Sequence, residues 1–270
     1  MTGQYVLGTH DDELHRLGLQ HQIWHDHTTS LWSAARFGPG QSLLDAGCGP
    51  GFATVDLAGL VGQDGRVTAV DGAQGYVDAT RERVRCLGLA NVSVERADLR
   101  SATFEPASFD GVFVRWVLSF ITDPAPVMRS MAAALRPGGA LLAMDYCHYR
   151  AARVFPASDT LDELFVYFGR ANRDSGGDFD HGSRLAEWAE QSGLQVTHLA
   201  PIVHAARPGG RYWMWFTGFC RVFIPSLVQS GQMPADFAQR VQDELREREK
   251  TVGAFFMTPP IMTMIARKRA

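Results

Sequence analysis

Apolar positions Leu14, Leu17, Leu19, Ile23, Trp24 and Leu31 recur among polar ones across residues 10–36, which predicts a long helix. Beyond it, short apolar runs alternate with amphipathic stretches. Strands are predicted at 42–46, 67–71, 91–98, 109–116 and 140–146, with helices at 53–60, 75–87 and 125–135 between them. After residue 150 the alternation changes. Helices are predicted at 161–172, 183–192, 212–229 and 236–250, and strands at 194–203 and 259–268.

Short buried strands alternating with helices specify an α/β fold, a doubly wound and mostly parallel sheet covered on both faces. In such sheets ligands bind beyond the carboxyl ends of the strands. The informative residues are therefore Asp45 to Gly51, Asp71, Asp98, Arg115-Trp116 and Asp145 to His148. No linker marks off a second unit, so residues 1–270 are expected to form one domain. Within it, 1–36 would be a helical lid and 37–150 the core. Residues 151–250 would be substrate-side insertions and lid helices, and 251–270 would hold the last strand.

Composition narrows the reading in three ways. The chain has 270 residues, of which 46% are hydrophobic, enough for one large buried core. The net charge of -3 gives no basic footprint for nucleic acid. No apolar run is long enough to span a bilayer and no signal peptide opens the chain, so a soluble, cytoplasmic protein without a membrane partner is expected. Cys48, Cys86, Cys147 and Cys220 lack C-x-x-C spacing, against a disulfide framework or zinc knuckle.

The chemistry starts at "LLDAGCGPGF", residues 43–52. No Lys follows the glycines, which removes a phosphate loop. The spacing of Gly47, Gly49 and Gly51 is G-x-G-x-G, and Phe52 stands where a dinucleotide fingerprint needs its third glycine. Asp45 is also a poor neighbour for a pyrophosphate. An acid beside a bare-backbone turn suits a ligand with a cationic end, and S-adenosylmethionine has an ammonium and a sulfonium. Asp71, twenty residues past Gly51, is placed to accept both hydroxyls of a ribose. Asp98, ending the third strand in "ERADL", is placed to accept from an adenine amino group. Each feature alone has a plain structural reading, as a tight turn or a turn cap.

Taken in order, "LLDAGCGPG", "VTAVDG", "ERADL" and "LRPGG" resemble the motifs of class I S-adenosylmethionine-dependent methyltransferases, closest to the small-molecule group that includes the quinone-biosynthesis C-methyltransferases. The motifs cover residues 40–146. The resemblance implies a seven-stranded Rossmann-like sheet with a reversed last hairpin and S-adenosyl-L-methionine as cofactor. It implies Asp45 and Gly47 near the methionine end, Gly49 near the nucleoside with Cys48 between them, Asp71 on the ribose, and Asp98 and Leu99 on the adenine. Arg115 or Trp116 would lie beside the methionine moiety. Gly72 departs from the bulky apolar residue usual after the ribose acid, and Tyr76 is the candidate to cover the adenine instead. By the same analogy the amino-terminal segment closes over the cofactor, with Tyr5, His21 and Trp24 as lid residues.

Methyl transfer is an in-line attack on the sulfonium methyl, and a general base is required when the nucleophile must lose a proton. Candidates are His21, His25 and His27, then Tyr146 and His148 beside Asp145, then His204. His148 is expected to face the pocket because it follows a strand end. His21 and His25 share a helix face at i,i+4 spacing, yet no acid or cysteine completes a ligand set in the sequence, so no metal is expected. "RYWMWFTGFCRVF", residues 211–223, carries six aromatics and is expected either to wall an apolar substrate or to pack against the sheet or a homodimer partner. The function expected is methyl transfer to O, C or N of a small apolar or aromatic metabolite. A protein acceptor and a cofactor-binding protein without transfer are the alternatives.

Overall fold

The computed structural model describes residues 11–269. Helix α1 (Asp11–Ala34) leads into β1 (Ser42–Ala46), α2 (Phe52–Val61), β2 (Arg66–Asp71), α3 (Gln74–Cys86), β3 (Val92–Arg96), β4 (Phe109–Arg115), α4 (Pro124–Ala134) and β5 (Leu135–Tyr146). The second half adds β6 (Arg153–Phe155), α5 (Asp159–Asp174), α6 (Leu185–Gln191), β7 (Leu194–Ile202), β8 (Ala205–Ala206), α7 (Arg211–Gln229), α8 (Ala235–Arg248), β9 (Phe255–Met257) and β10 (Ile261–Lys268). Seven strands form one sheet in the order β3-β2-β1-β4-β5-β10-β7. The first five are parallel, and β10 enters antiparallel between β5 and β7. The order reverses between β1 and β4, so the crevice at that switch point is where a ligand is expected.

Successive strand residues face opposite sides, and both sides are dry. Leu44 and Ala46, Val112 and Val114, and Leu141 and Ala143 pack with Met128 and Met131 of α4 and Trp188 of α6. Leu43, Phe113, Leu142 and Met144 pack on the other side with Trp24 of α1, Leu57 of α2, Phe168 of α5 and Trp213 of α7. Local chemistry fixes the helix starts. Ser158 accepts from Leu161 N at 3.2 Å to cap α5, and Asp123 caps α4 with Pro124 at its first position.

The structure departs from the pattern in three places. β6, β9 and β8 pair into a small second sheet that the sequence did not announce, because two or three residues are too few to carry a period. β5 begins at Leu135 rather than at 140. Its Pro-Gly-Gly segment is a bulge, with Gly138 at φ 79°, and the pairing with β4 steps from Phe109 opposite Leu135 to Gly111 opposite Ala140. The helix expected at 183–192 is a 3-10 turn at His181–Arg184 followed by α6. Among the described residues no helix is long and apolar enough to cross a membrane.

Candidate active site

The loop after β1 is shaped by what its glycines permit. Gly47, Gly49 and Gly51 all have positive φ, at 76°, 54° and 79°. A Cβ on Gly47 would stand 2.3 Å from Val117 Cγ2, and one on Gly51 would stand 2.6 Å from Thr80 Cγ2. Around Gly49 there is open space. The N–H groups of Gly47 and Cys48 both donate to Val70 O, at 2.8 and 2.9 Å, which ties the loop to the end of β2.

Asp71, the last residue of β2, accepts from Gly49 N at 2.9 Å and Ala73 N at 2.8 Å. A carboxylate offers about four acceptor sites, so acceptor capacity remains for a ligand. Burial raises the Asp71 carboxyl above the usual range, against the pull of these N–H groups. Asp45 is fully enclosed and accepts from Thr54 Oγ1 at 2.6 Å. Burial pushes its carboxyl up to about 6, against the Thr54 hydrogen bond and the nearby Arg115 charge.

A cavity of 610 Å3 opens at the switch point. Asp45, Gly47, Cys48, Gly49, Asp71, Gly72, Tyr76, Asp98, Leu99, Arg115, Trp116, Tyr146 and His21 all line it. Asp98 stands at the exposed rim and is held by the Arg100 guanidinium at 2.6–3.1 Å, a partner the sequence reading did not give it. Trp116 has φ 53°, an unusual conformation for a bulky residue, stabilised by its N–H donating to Met144 O at 2.8 Å. Sequence reasoning missed Arg16, Leu17 and Gln20 of α1, and Phe120, Asn172 and Phe179, all of which line the same cavity. The α1 residues follow an i, i+1, i+4 stripe that also reads as core, and the other three come from irregular segments or a helix end.

Three expectations are corrected, and one that was left open, the role of the α7 aromatics, is resolved. His148 is exposed, in a left-handed turn that carries it off the end of β5, and it does not line the cavity. Trp24 is wholly buried against Trp116, Tyr212 and Trp215, a core residue rather than a lid. His204 stacks on Tyr212 at 3.9 Å and meets His27 at 2.8 Å, away from the cavity. Of the six aromatics of α7 only Phe219 lines the cavity, and the others pack in the core. Tyr5 lies outside the described residues.

His21 is brought to the cavity in a network that also supplies the missing acid. Asp56 of α2 lies 2.9 Å from His21 Nε2 and 3.2 Å from His25 Nε2, so two imidazoles and a carboxylate meet where the sequence showed only the histidines. Yet Arg115 Nη2 lies 3.2 Å from His21 Nδ1. A guanidinium only donates, so Nδ1 must accept and the His21 proton sits on Nε2, donated to Asp56. That tautomer leaves no lone pair at Nε2 for a metal. Burial lowers the His21 pKa and favours the neutral ring. Arg115 also donates to Thr28 Oγ1 at 2.8 Å, and its enclosed guanidinium is pulled down to about 10 by burial.

Residues 38–193 match the family of methyltransferase domains. The chain belongs to this family. This is the family of class I S-adenosylmethionine-dependent methyltransferases. The chain is 29% identical over 238 residues to an uncharacterized 37.1 kDa protein of a Streptomyces fradiae transposon, covering 85% of this chain and 63% of that protein. It is 23% identical to the demethylmenaquinone methyltransferase of Bacillus cereus, over 68% of this chain and 81% of the relative. In fold it is similar to Haemonchus contortus phosphoethanolamine N-methyltransferase 2 in complex with S-adenosyl-L-methionine, with a TM-score of 0.56, 19% identity, and coverage of 92% of this chain and 53% of the other. The chain thus spans less than two thirds of the first of these relatives.

S-adenosylmethionine is the cofactor of the family, and the residues present fit it. The open face at Gly49 admits close backbone approach, Asp71 has acceptor sites to spare, and Asp45 is a carboxyl that a cation would restore to its charged form.

Proposed function

We propose that this methyltransferase transfers a methyl group to O, C or N of a small, apolar or aromatic metabolite. The observation that carries the reading is one cavity lined both by Gly47, Gly49 and Asp71 and by the aromatic rings of Tyr146, Phe120, Phe179 and Phe219. The relative named for demethylmenaquinone methylation supports a small ring as acceptor. The covering of the cavity by Arg16, Leu17, Gln20 and His21 of α1 favours a small molecule over a protein side chain.

The bound cofactor supplies an electrophilic methyl on a positively charged sulfur. Asp71 would take its ribose hydroxyls, Tyr76 and Leu99 would flank its adenine, and Asp98 would take the exocyclic amine. Asp45 compensates its ammonium. Trp116 and Arg115 would hold the methionine end. Charge is lost as the methyl moves, so the dry aromatic end of the cavity does its work by aligning the acceptor and excluding water. Tyr146 is the group best placed to hold or move the acceptor's proton. His21 has both ring nitrogens engaged and acts through Arg115. The single domain and the α1 cover belong to this same reading.

Calorimetric titration with S-adenosylhomocysteine tests the cofactor end, with micromolar binding expected. A screen of small aromatic acceptors, scored by release of S-adenosylhomocysteine, tests the rest. Binding without turnover on any small acceptor, with methylation of a protein in its place, would overturn the acceptor class.

A further inference from the structure

Helix α1 presents two stripes to the cavity. Leu17 and His21, four residues apart, share one, and His21 stacks on Phe52, the residue after Gly51, with ring centroids at 5.7 Å. Arg16 and Gln20 share the other, which stands on α7. The Arg16 guanidinium lies over the Phe219 ring at 5.5 Å, and Gln20 meets Trp215. The first stripe thus lies beside the glycine loop and the second beside the aromatic rings.

The Gln20 side chain can stand only one way round. Its Oε1 accepts from Trp215 Nε1 at 2.8 Å and from Arg16 Nη1 at 3.0 Å. An indole and a guanidinium only donate, so turning the amide over would set N–H against N–H twice. The Trp215 ring is held in turn, stacked near Tyr146 and Trp116 with centroids at 6.4 Å from each. Gln20 Nε2 is thereby directed away from both partners. Among the described residues it has no hydrogen-bond partner, and unlike Asn172 Oδ1 or Trp213 Nε1 it is not sealed off. Its two N–H groups open into the cavity that Gln20 lines.

The surroundings fix the sign of what these donors suit. Arg16 donates to Glu13 from Nε at 2.6 Å and from Nη2 at 2.7 Å. Glu13 has no exposed surface and does not line the cavity, whereas Arg16 does. The ion pair therefore turns its positive end to Gln20 and polarises the amide, which strengthens the N–H donors. Arg115 adds a second enclosed guanidinium to the cavity wall. The acids Asp45, Asp71 and Asp98 all stand at strand ends, and none comes from α1 or α7. We infer that Gln20 is a specificity-determining residue, and that the methyl acceptor carries a carboxylate that takes a hydrogen bond from Gln20 Nε2. This rests on reading the aromatic rings as the acceptor's part of the transfer site. A site built to donate to a carboxylate rejects the isostere that accepts poorly, because its own N–H groups are then left unpaired.

The test uses the full chain, with and without saturating S-adenosylhomocysteine, and two probes of one outline, 2-naphthoate and 2-nitronaphthalene. The nitro group matches the carboxylate in shape, carries no net charge and accepts hydrogen bonds weakly. Equilibrium dialysis at pH 7.5 should give naphthoate binding at least about tenfold tighter, the size of a hydrogen bond to a charged group. Gln20→Glu keeps oxygens for both Arg16 and Trp215 and removes the N–H donors. It should abolish the preference, with S-adenosylhomocysteine affinity within about threefold of the unaltered protein. Gln20→Met, close in volume and uncharged, should abolish it too. 2-Naphthamide, a neutral carbonyl of the same outline, should bind like the nitro compound. Equal binding of naphthoate and nitronaphthalene by the unaltered protein, or no binding of either, overturns the inference. Naphthamide binding as tightly as naphthoate overturns it in favour of a neutral carbonyl. A preference that survives both variants overturns it as well. A loss of S-adenosylhomocysteine affinity of about tenfold or more in both variants would give the amide to the cofactor's own carboxylate and overturn it too. Nucleoside binding without a carboxylate preference removes this inference alone, and a preference without nucleoside binding removes the cofactor assignment alone.

Discussion

At the scale of single residues, the two acids that end β1 and β2 make opposite demands on the protein. Asp71 is held by backbone N–H groups and keeps acceptor capacity for a ligand's hydroxyls. Asp71→Ala should weaken S-adenosylhomocysteine binding by about 1.5–3 kcal/mol, the size of charge-assisted hydrogen bonds, as read by calorimetry. Asp45 is held up to about 6 by burial, so the free protein carries a neutral carboxyl at pH 5 and a charged one at pH 7. The neutral form favours the folded state at low pH, and that contribution is lost as the pH rises through about 6. A ligand ammonium reverses the preference. Affinity for S-adenosylhomocysteine should therefore rise about tenfold from pH 5 to pH 7 and then level off. Titrations in buffers of different ionisation enthalpy should show proton release at pH 5 and none at pH 7.5. A flat profile would take the ammonium away from Asp45. His148 now carries the opposite expectation from the one its sequence position invites. It is exposed and off the cavity, so His148→Ala should leave turnover within about twofold, while a tenfold loss would return it to the site.

At the scale of elements, the glycine loop shows why part of this site is legible in the sequence and part is not. Gly47 has to be glycine on two counts, a φ of 76° and Val117 Cγ2 at 2.3 Å from any added Cβ. Gly47→Ala should cost about 1–3 kcal/mol in urea unfolding and lower cofactor affinity at the same time. Such local constraints leave a spacing that can be read, as do strand ends that carry Asp45 and Asp71 to the crevice. Residues 42–46 emerged with the limits expected, because a fully buried strand shows itself as an apolar run. Contacts that close across the fold leave no such trace. Asp56 completes the His21/His25 group only because α1 crosses α2, and Arg115 decides its tautomer from a third element. Asn172 looked like the end of an inserted helix until Ser119 and Gly177 came to meet it. Position after a strand misled for His148, since one residue in a left-handed turn redirects everything after it. The aromatic density of α7 was likewise ambiguous by nature. A helix against the sheet and a helix walling a pocket need the same residues, and only Phe219 reaches the cavity.

At the scale of the whole molecule, the sheet and its cover respond differently to a ligand. The crevice between β1 and β4 is framed by strands buried on both faces, which open only with the global fold. The α1 residues Arg16, Leu17, Gln20 and His21 lie over the same cavity, and their helix is tied to β4 through Arg115 bonding Thr28 and His21. A ligand in the cavity adds contacts to α1 without touching α8, which presents a charged outer face and packs on α5 and α7. Saturation with S-adenosylhomocysteine should therefore slow amide exchange in peptides covering residues 11–24 and in the loop 47–51, and leave residues 235–248 unchanged. Hydrogen exchange with mass spectrometry reads all three segments in one experiment. Arg115→Ala removes the tie between β4 and α1 and with it one of the residues that line the cavity, while the loop after β1 and Asp71 stay in place. In that variant the loop should still be protected by the nucleoside while protection of α1 falls away. Equal protection of α1 in both proteins would mean that the cofactor itself, and not the Arg115 network, holds the cover in place.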